Sequence, residues 1–118
     1  MSQVRSAGVP VELETDGDLS GLPSGVDLAA YRIVQEALTN VLKHAGPATA
    51  RLHVRHAGGV LEVEVCDDGR GARDPQPGHG QAGMRERAAL YGGAVEAGAL
   101  PGGGYRVRAR LAVDAIAG

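Results

Sequence analysis

The sequence predicts a two-layer α/β sandwich, in which helices cover one face of a mixed, mostly antiparallel sheet of about five strands. The first observation is the order of the elements: strand, helix, two strands, helix, two strands, with no internal repeat. The second is the number of helices, because two amphipathic helices are too few to cover both faces of such a sheet. The third is the alternation of apolar and polar residues over the last two-thirds of the chain, which is typical of antiparallel strands with one polar face.

Length and composition support a single domain spanning residues 1–118. Phe and Trp are absent, so the core must be built from Leu, Val and Ala. The formal net charge of −2 gives no electrostatic reason to expect a nucleic-acid or membrane partner. Cys66 is the one cysteine, which excludes an internal disulfide and suits a reducing compartment. No window has the length of a membrane span, so we expect a cytoplasmic domain, whether or not the full-length protein carries a membrane anchor.

The first strand is predicted around Val9, Val11 and Leu13, which alternate with Pro10 and a glutamate. Proline has no N–H group to donate to a neighbouring strand, so Pro10 places this strand at an edge of the sheet.

The longest amphipathic segment predicts a helix over residues 27–46. Asp27 is a candidate N-cap, Val26 and Tyr31 flank it at the spacing of a hydrophobic staple, and Gly46 followed by Pro47 ends the helix. At 100° per residue the apolar side chains gather on one side. That side comprises Ala30, Val34, Ala37, Leu38, Val41, Leu42 and Ala45.

The polar stripe of this helix has an unusual composition. Glu36, Asn40 and His44 follow one another at i, i+4 spacing, so a carboxylate, an amide and an imidazole project from one stripe. Asparagine is a mediocre helix former, and its place in the middle of a helix suggests a role other than helix stability. A solvated face and a binding site both remain consistent with the stripe.

A β-hairpin follows, with strands over residues 51–55 and 60–66 joined by a turn at Gly58-Gly59. Side chains alternate along a strand, so Asp67 continues the apolar face of Leu61, Val63 and Val65. A carboxylate at the rim of the core is costly unless it meets a hydrogen-bond donor. Asp67 is therefore either the cap of the following turn or a ligand-binding group.

The remaining third of the chain predicts a loop over residues 69–80, a second helix over residues 82–91 and two further strands. Gly80 and Gly83 lie at the start of that helix, where free N–H groups and the helix dipole favour an anion. Gly92-Gly93 ends the helix. The strands are predicted at Val95 and Ala97 and over residues 105–113, and we interpret Arg106, Arg108 and Arg110 as a solvated face.

Three segments together resemble the ATP-binding domain of sensor histidine kinases, within the superfamily that also contains DNA gyrase, a heat-shock chaperone class and the MutL repair proteins. RIVQEALTNVLKHA (residues 32–45) is similar to the asparagine box, DDGRG (67–71) to the D-x-G-x-G box, and GHGQAGMRERAALYGG (78–93) to the second glycine box. The residue pattern of these segments most resembles that of the subfamily of nitrate and desaturase sensors. The resemblance covers nearly the whole chain and implies the Bergerat ATP-binding fold.

The resemblance implies roles for individual residues. Asn40 would hold Mg²⁺ against the triphosphate, with Glu36 assisting metal and phosphate positioning one turn earlier. Asp67 would accept a hydrogen bond from the adenine amino group. The other implied contacts are Lys43 and His44 near the phosphates, Gly69 and Gly71 beside the base, and Gly80 and Gly83 at the phosphates. Met84 is a further implied nucleotide contact, and residues 72–79 would be the ATP lid.

Two features depart from the family pattern, and one expected part is missing. Gln81 stands where a leucine is usual, and Gly104-Tyr105 stands where many relatives have a threonine near the adenine. The phosphoacceptor histidine of this subfamily lies on a helical dimerisation domain that precedes the ATP-binding domain. We therefore expect a catalytic domain separated from its phosphoacceptor and sensor domains, which binds Mg·ATP, turns it over little by itself, and meets a helix-turn-helix response regulator through the phosphoacceptor domain.

Other functions are less well supported by the residues. The main alternative is a stand-alone regulatory protein of the same superfamily, an anti-sigma-factor-like serine kinase. The segment GMRER (residues 83–87) argues against it. A pure interaction module is disfavoured because Glu36, Asn40 and Asp67 are intact. His53 and His56, three apart on a strand, point to opposite faces and do not suggest a metal site.

Overall fold

The computed structural model describes residues 11–44, 49–69, 79–101 and 103–113, and of residues 42–44 and 79–82 only the backbone. Two helices and five strands lie within these residues. In chain order they are β1 (Val11–Asp16), α1 (Ser24–His44), β2 (Ala50–Ala57), β3 (Val60–Asp67), α2 (His79–Ala89), β4 (Ala94–Ala99) and β5 (Tyr105–Ala112).

The strands form one mixed sheet in the order β1-β2-β3-β5-β4. β1 and β2 run parallel because α1 connects them, and the other three pairs are antiparallel. The predicted fold class is therefore confirmed, including the edge position of the first strand. That strand begins at Val11, while Val9 and Pro10 lie outside the described residues.

The core lies between α1, α2 and one face of the sheet, which we call the inner face. Of the predicted apolar side of α1, residues 42 and 45 fall outside the described side chains and the others are buried. The buried side is wider than predicted, since Val26, Ala29 and Ile33 belong to it. The sheet contributes the buried side chains of Ala50, Leu52, Val54, Leu61, Val63, Val65, Val107, Ala109 and Leu111.

The predicted start of α1 is wrong by one turn. The helix begins at Ser24, and the N–H group of Asp27 donates to the carbonyl oxygen of Pro23 at 3.0 Å, so Asp27 lies inside the first turn instead of capping it. The extra turn buries Val26 completely and brings Gly25 against Tyr91, which follows α2. Tertiary packing thus decides the start of the helix over local capping propensity.

Helix α2 begins at His79, three residues before its predicted start, and ends at Ala89. Its C-terminal end is a Schellman motif, in which the N–H of Gly93 donates to the carbonyl of Ala88 at 2.8 Å and Gly92 adopts a φ of 67°. Met84 and Ala88 are buried, as the spacing predicted. Neither described helix has the length and hydropathy of a membrane-spanning segment.

The β2–β3 hairpin has the predicted turn. Gly58 and Gly59 both adopt positive φ, at 60° and 75°, as a type I′ turn requires. This turn sets the register in which Ala57 faces Val60 and Ala50 faces Asp67.

The outer face of the sheet carries a ladder of opposite charges. Glu62 pairs with Arg110, with 3.0 Å between Oε2 and Nε, and Glu64 pairs with Arg108, with 2.9 Å between Oε2 and Nη2. Arg108 and Arg110, two of the three arginines predicted to form a solvated face, therefore have cross-strand partners. Such partly exposed pairs contribute at most about 1 kcal/mol each to stability, so their main effect is to place opposite charges across from each other.

Cys66 lies on the same outer face and is half-buried. Burial, and then the negative charge of Glu64, raise the pKa of the Cys66 thiol to about 11. The Sγ atom lies 3.6 Å from Oε1 of Glu64, to which the thiol donates. The thiol is therefore protonated at neutral pH.

The turn between β4 and β5 brings its last glycine against the end of β3. Gly104 has a φ of +95°, and a Cβ atom there would lie 2.1 Å from the carbonyl oxygen of Asp67. Gly103 has a φ of +116°, but a Cβ atom there meets no described atom within 4 Å. Both glycines thus adopt a backbone conformation that would strain any other residue, but only Gly104 lies against neighbouring backbone.

We predict that alkylation of Cys66 by iodoacetamide at pH 8 is about 100-fold slower than that of an unperturbed cysteine, because the thiolate is the reacting form. The rate should rise with pH through the raised thiol pKa, about 11. Glu64→Gln should speed the reaction and Glu62→Gln, which alters the other ion pair of the ladder, should not. Equal rates in the two variants would contradict the assigned role of Glu64.

Gly104→Ala should destabilise the protein by about 2 kcal/mol more than Gly103→Ala, because both changes force a side chain into positive φ but only the first collides with the backbone of Asp67. Urea unfolding of the two variants and the parent measures this difference. An equal cost at both positions would show that the approach of Gly104 to Asp67 does not constrain the turn.

Candidate functional site

The C-terminal end of β3 is the point at which the three sequence boxes meet. Ala50, the first residue of β2, lies opposite Asp67, the last residue of β3. Helix α1 ends at His44, five residues before Thr49, so its C-terminal turns lead directly to this end of the sheet. The asparagine box and the D-x-G-x-G box are thereby brought to one end of the molecule.

The N-terminal end of helix α2 is directed towards the same end of the sheet. Tyr91, just after α2, accepts the N–H of Ala112 at 2.9 Å, so the helix finishes at the end of β5 that is farthest from Tyr105 and Asp67. The helix packs along β4 and β5, and its eleven residues extend about 16 Å towards the Asp67 end. Gly80 and Gly83 therefore lie on the side of the molecule where β3 ends.

Asp67 is 5% exposed and follows the buried Leu61, Val63 and Val65 on the inner face, as strand parity predicted. Its Oδ1 accepts the N–H of Gly69 at 2.9 Å, so the turn-capping role is present. A carboxylate has two oxygens and about four acceptor positions, so capping the turn does not by itself exclude a second role. Both explanations offered by the sequence therefore remain compatible at this residue.

Backbone contacts fix the chain around Asp67. The side chain of Asp68 accepts the N–H of Thr49 at 2.7 Å, and the carbonyl of Thr49 accepts the N–H of Asp68 at 3.3 Å. These two bonds fasten the chain entering β2 to the chain leaving β3. Gly69 is buried beside them.

The residue facing Asp67 from the other side is Tyr105. The two are paired in the β3–β5 register, and Tyr105 shares the inner-face parity of the buried Val107 and Ala109. Directly opposed residues place their Cβ atoms about 5 Å apart. Sequence reasoning placed Tyr105 at the start of the last strand, but its position opposite Asp67 follows from the β3–β5 pairing, which alternation alone does not determine.

Glu36 and Asn40 lie on the side of α1 that faces α2. Gly25 marks that side, because a Cβ atom there would lie 2.6 Å from Oη of Tyr91. At 100° per residue, Glu36 and Asn40 fall within about 60° of Gly25 around the helix. Both are half-buried, so the stripe is a border of the core and not a fully solvated face.

The remaining predicted site residues differ in how far the structure places them. Gly83 is half-buried on α2, and Gly80 lies in the first turn of that helix. Met84 is fully buried among core residues, and contact with a ligand remains a prediction for it. Lys43 and His44 belong to α1, with side chains outside the described set, and Gly71 and most of the predicted lid lie outside the described residues.

Comparisons with known proteins agree on one family. Residues 25–115 match the family described as histidine kinase-, DNA gyrase B- and HSP90-like ATPase. The sensor histidine kinase LnrJ of Bacillus subtilis is 30% identical over 109 residues, which are 92% of this chain and 27% of LnrJ. The sensor histidine kinase YxjM of the same organism is 34% identical over 106 residues, or 89% of this chain and 26% of YxjM.

The fold has counterparts among solved structures. The histidine kinase domain of the blue-light-activated histidine kinase from Erythrobacter litoralis EL346 superposes with a TM-score of 0.66 at 24% identity, covering 88% of this chain and 55% of that domain. The chain spans about a quarter of the length of the two Bacillus relatives. On the family match and these identities, the chain belongs to the histidine kinase-, DNA gyrase B- and HSP90-like ATPase family.

Proposed function

We propose that this chain is the ATP-binding catalytic domain of a two-component sensor histidine kinase. The observation that carries the proposal is the buried carboxylate of Asp67 at the one end of the sheet where the C-terminal turns of α1 and the start of α2 also lie. Family membership supports ATP as the nucleotide. The names of the curated relatives support a sensor histidine kinase over a serine kinase of the same superfamily.

Asp67 is proposed to recognise the base. A carboxylate that is 5% exposed and holds the turn through Gly69 is rigid, and a carboxylate oxygen suits an amino group such as that of adenine. Gly69 and Gly104 have no side chains to obstruct the base. Tyr105 would pack beside the base from the neighbouring strand.

Glu36 and Asn40 are proposed to act at the phosphates. One carboxylate and one amide on adjacent turns, both half-buried on the α2 side, fit a Mg²⁺ ion that takes most of its ligands from phosphates and water. Within the described residues there is no cluster of three or more His, Cys, Asp or Glu side chains, which argues against a metal site made by the protein alone. When bound, Mg²⁺ would neutralise charge on the phosphates.

Gly80 and Gly83 would admit a phosphate close to the start of α2, where unpaired N–H groups attract anions. Lys43, His44, Gly71 and Met84 are retained as proposed nucleotide contacts on the resemblance alone. The lid proposed for residues 72–79 rests on the same ground.

The acceptor of the phosphoryl group is proposed to be a histidine of a separate dimerisation domain, in the same or a partner subunit, which then passes it to a helix-turn-helix response regulator. His53 and His56 do not suit this role, because His53 Nε2 lies 2.7 Å from Oδ2 of Asp16 and His56 Nδ1 lies 2.7 Å from the carbonyl of Asp18. Both are therefore occupied at the edge of the sheet. The domain would work in the cytoplasm, where ATP is available.

We expect Asp67→Asn to weaken ATP and ADP binding by about tenfold or more, because an amide at this position presents one acceptor fewer than a carboxylate and loses the charge-assisted bond. Isothermal titration calorimetry measures the affinity. Asp68→Asn is the matched control, since its amide oxygen still accepts the N–H of Thr49 and its binding should equal that of the parent. Unchanged affinity in Asp67→Asn would refute the proposed base contact.

We expect Asn40→Ala to lose most of the Mg²⁺ dependence of ATP binding, because the amide is proposed to hold the metal. The comparison is the ATP affinity with Mg²⁺ and with excess chelator. Thr39→Ala is the control on the same turn, because the Thr39 hydroxyl already donates to the carbonyl of Gln35 at 2.9 Å. A full Mg²⁺ effect in Asn40→Ala would remove this residue from the metal site.

A further inference from the structure

Arg87 of α2 is a cationic side chain to which the resemblance assigns no role. On α2, Met84 and Ala88 are fully buried against the core, Gly83 and Arg87 are half-buried, and Arg85, Glu86 and Ala89 are exposed. Among residues 83–89, the partly covered side of α2 is thus the Gly83–Arg87 side. Tyr91, which contacts Gly25 of α1, follows Gly83 and Arg87 at i+4 spacing, so this stripe lies on the side of α2 towards α1.

The Arg87 side chain runs back towards the start of α2. Its Nη1 lies 3.1 Å from the position that a Cβ atom of Gly83 would occupy, so the guanidinium lies beside Gly83, one turn before Arg87 itself. Apart from the backbone of α2 itself, the guanidinium is the only described group within 4 Å of that position. Gly25 of α1 thus meets Tyr91, whereas no described atom of α1 comes within 4 Å of the Cβ position of Gly83.

The guanidinium is at the level of the proposed phosphate contacts. Gly83 lies eight residues, or about 12 Å, along α2 from Tyr91, and Glu36 lies eleven residues, or about 16 Å, along α1 from Gly25. Measured along the helices from the contact of Tyr91 with Gly25, the positions of Gly83 and Glu36 differ by less than about one helical turn.

Arg87 has no counter-ion within the part of the chain that is described. The ion pairs found there involve Arg51, Arg108, Arg110 and His53, all on the sheet. Arg87 is only partly buried, so its guanidinium can still be reached from solvent, and its fork of N–H donors matches a phosphate.

We propose that Arg87 binds the polyphosphate of the nucleotide in the gap between α1 and α2. This inference rests on the proposed function and adds to it a residue that lies within the second glycine box but is not among the site residues implied by the resemblance. Glycine at position 83 suits this arrangement, because a Cβ atom there would lie 3.1 Å from Nη1 of Arg87 and would crowd the guanidinium.

The test is an NMR titration of the 118-residue chain with ATP and, separately, with adenosine, which lacks phosphates. Arg87→Gln should raise the dissociation constant of ATP about tenfold or more and leave that of adenosine within about twofold, because only the phosphate contact is lost. Arg87→Lys, which keeps the charge without the fork, should fall between Arg87→Gln and the parent. Arg85→Gln, an exposed arginine on the same helix, should leave both constants within about twofold.

Three outcomes decide the matter. Equal weakening of ATP and adenosine in Arg87→Gln would make Arg87 a structural residue and overturn the inference, with the circular dichroism melting temperature showing any loss of fold. ATP binding that depends on Asp67 and not on Arg87 would overturn the inference and leave the proposed function standing. If the parent does not bind ATP, or binds it with an affinity that Asp67→Asn does not change, the proposed function is overturned and this inference with it.

Discussion

The packing of α1 against the inner face of the sheet is the constraint on which the other features depend. The chain has no Phe or Trp, so this contact is made by short side chains such as Val34, Leu38 and Leu52, each of which is almost completely buried. Burying one such side chain contributes about 1.5–3 kcal/mol, which makes the rotation of α1 about its axis hard to change. The rotation that buries Val34 and Leu38 is also the one that sets Glu36 and Asn40 at the border facing α2.

The central strand β3 links the core to the site in a similar way. Leu61, Val63 and Val65 fill the core, and the same period of two brings Asp67 to its rim on the inner face. A slip of one residue would place these apolar side chains in water and turn Asp67 outwards. The position of the carboxylate is therefore fixed by the hydrophobic energy of three residues before it, and the glycine turn at Gly58-Gly59 holds the register with β2.

The features that the sequence predicted are those set by local spacing. The hairpin, the buried side of α1 and the inward direction of Asp67 follow from periods of two and 3.6 residues, and all agree with the structure. The features it did not predict depend on contacts between distant segments. Helix α1 starts early because Gly25 meets a tyrosine some 65 residues later, and Gly104 requires its glycine because the backbone of Asp67 lies against it. Of the site residues, Asp67, Glu36 and Asn40 were predicted from the sequence. The direction of the Arg87 side chain could be seen only in the structure.

Two glycines, one on each helix, have different surroundings. Gly25 admits the ring of Tyr91, whose Oη lies 2.6 Å from the position of a Cβ atom there, so α1 packs closely against the turn that follows α2. Near the Cβ position of Gly83, the guanidinium of Arg87 is the only group among the described side chains. The first glycine therefore lets the core be sealed where α1 begins, and the second leaves the guanidinium room to lie back over the preceding turn of α2.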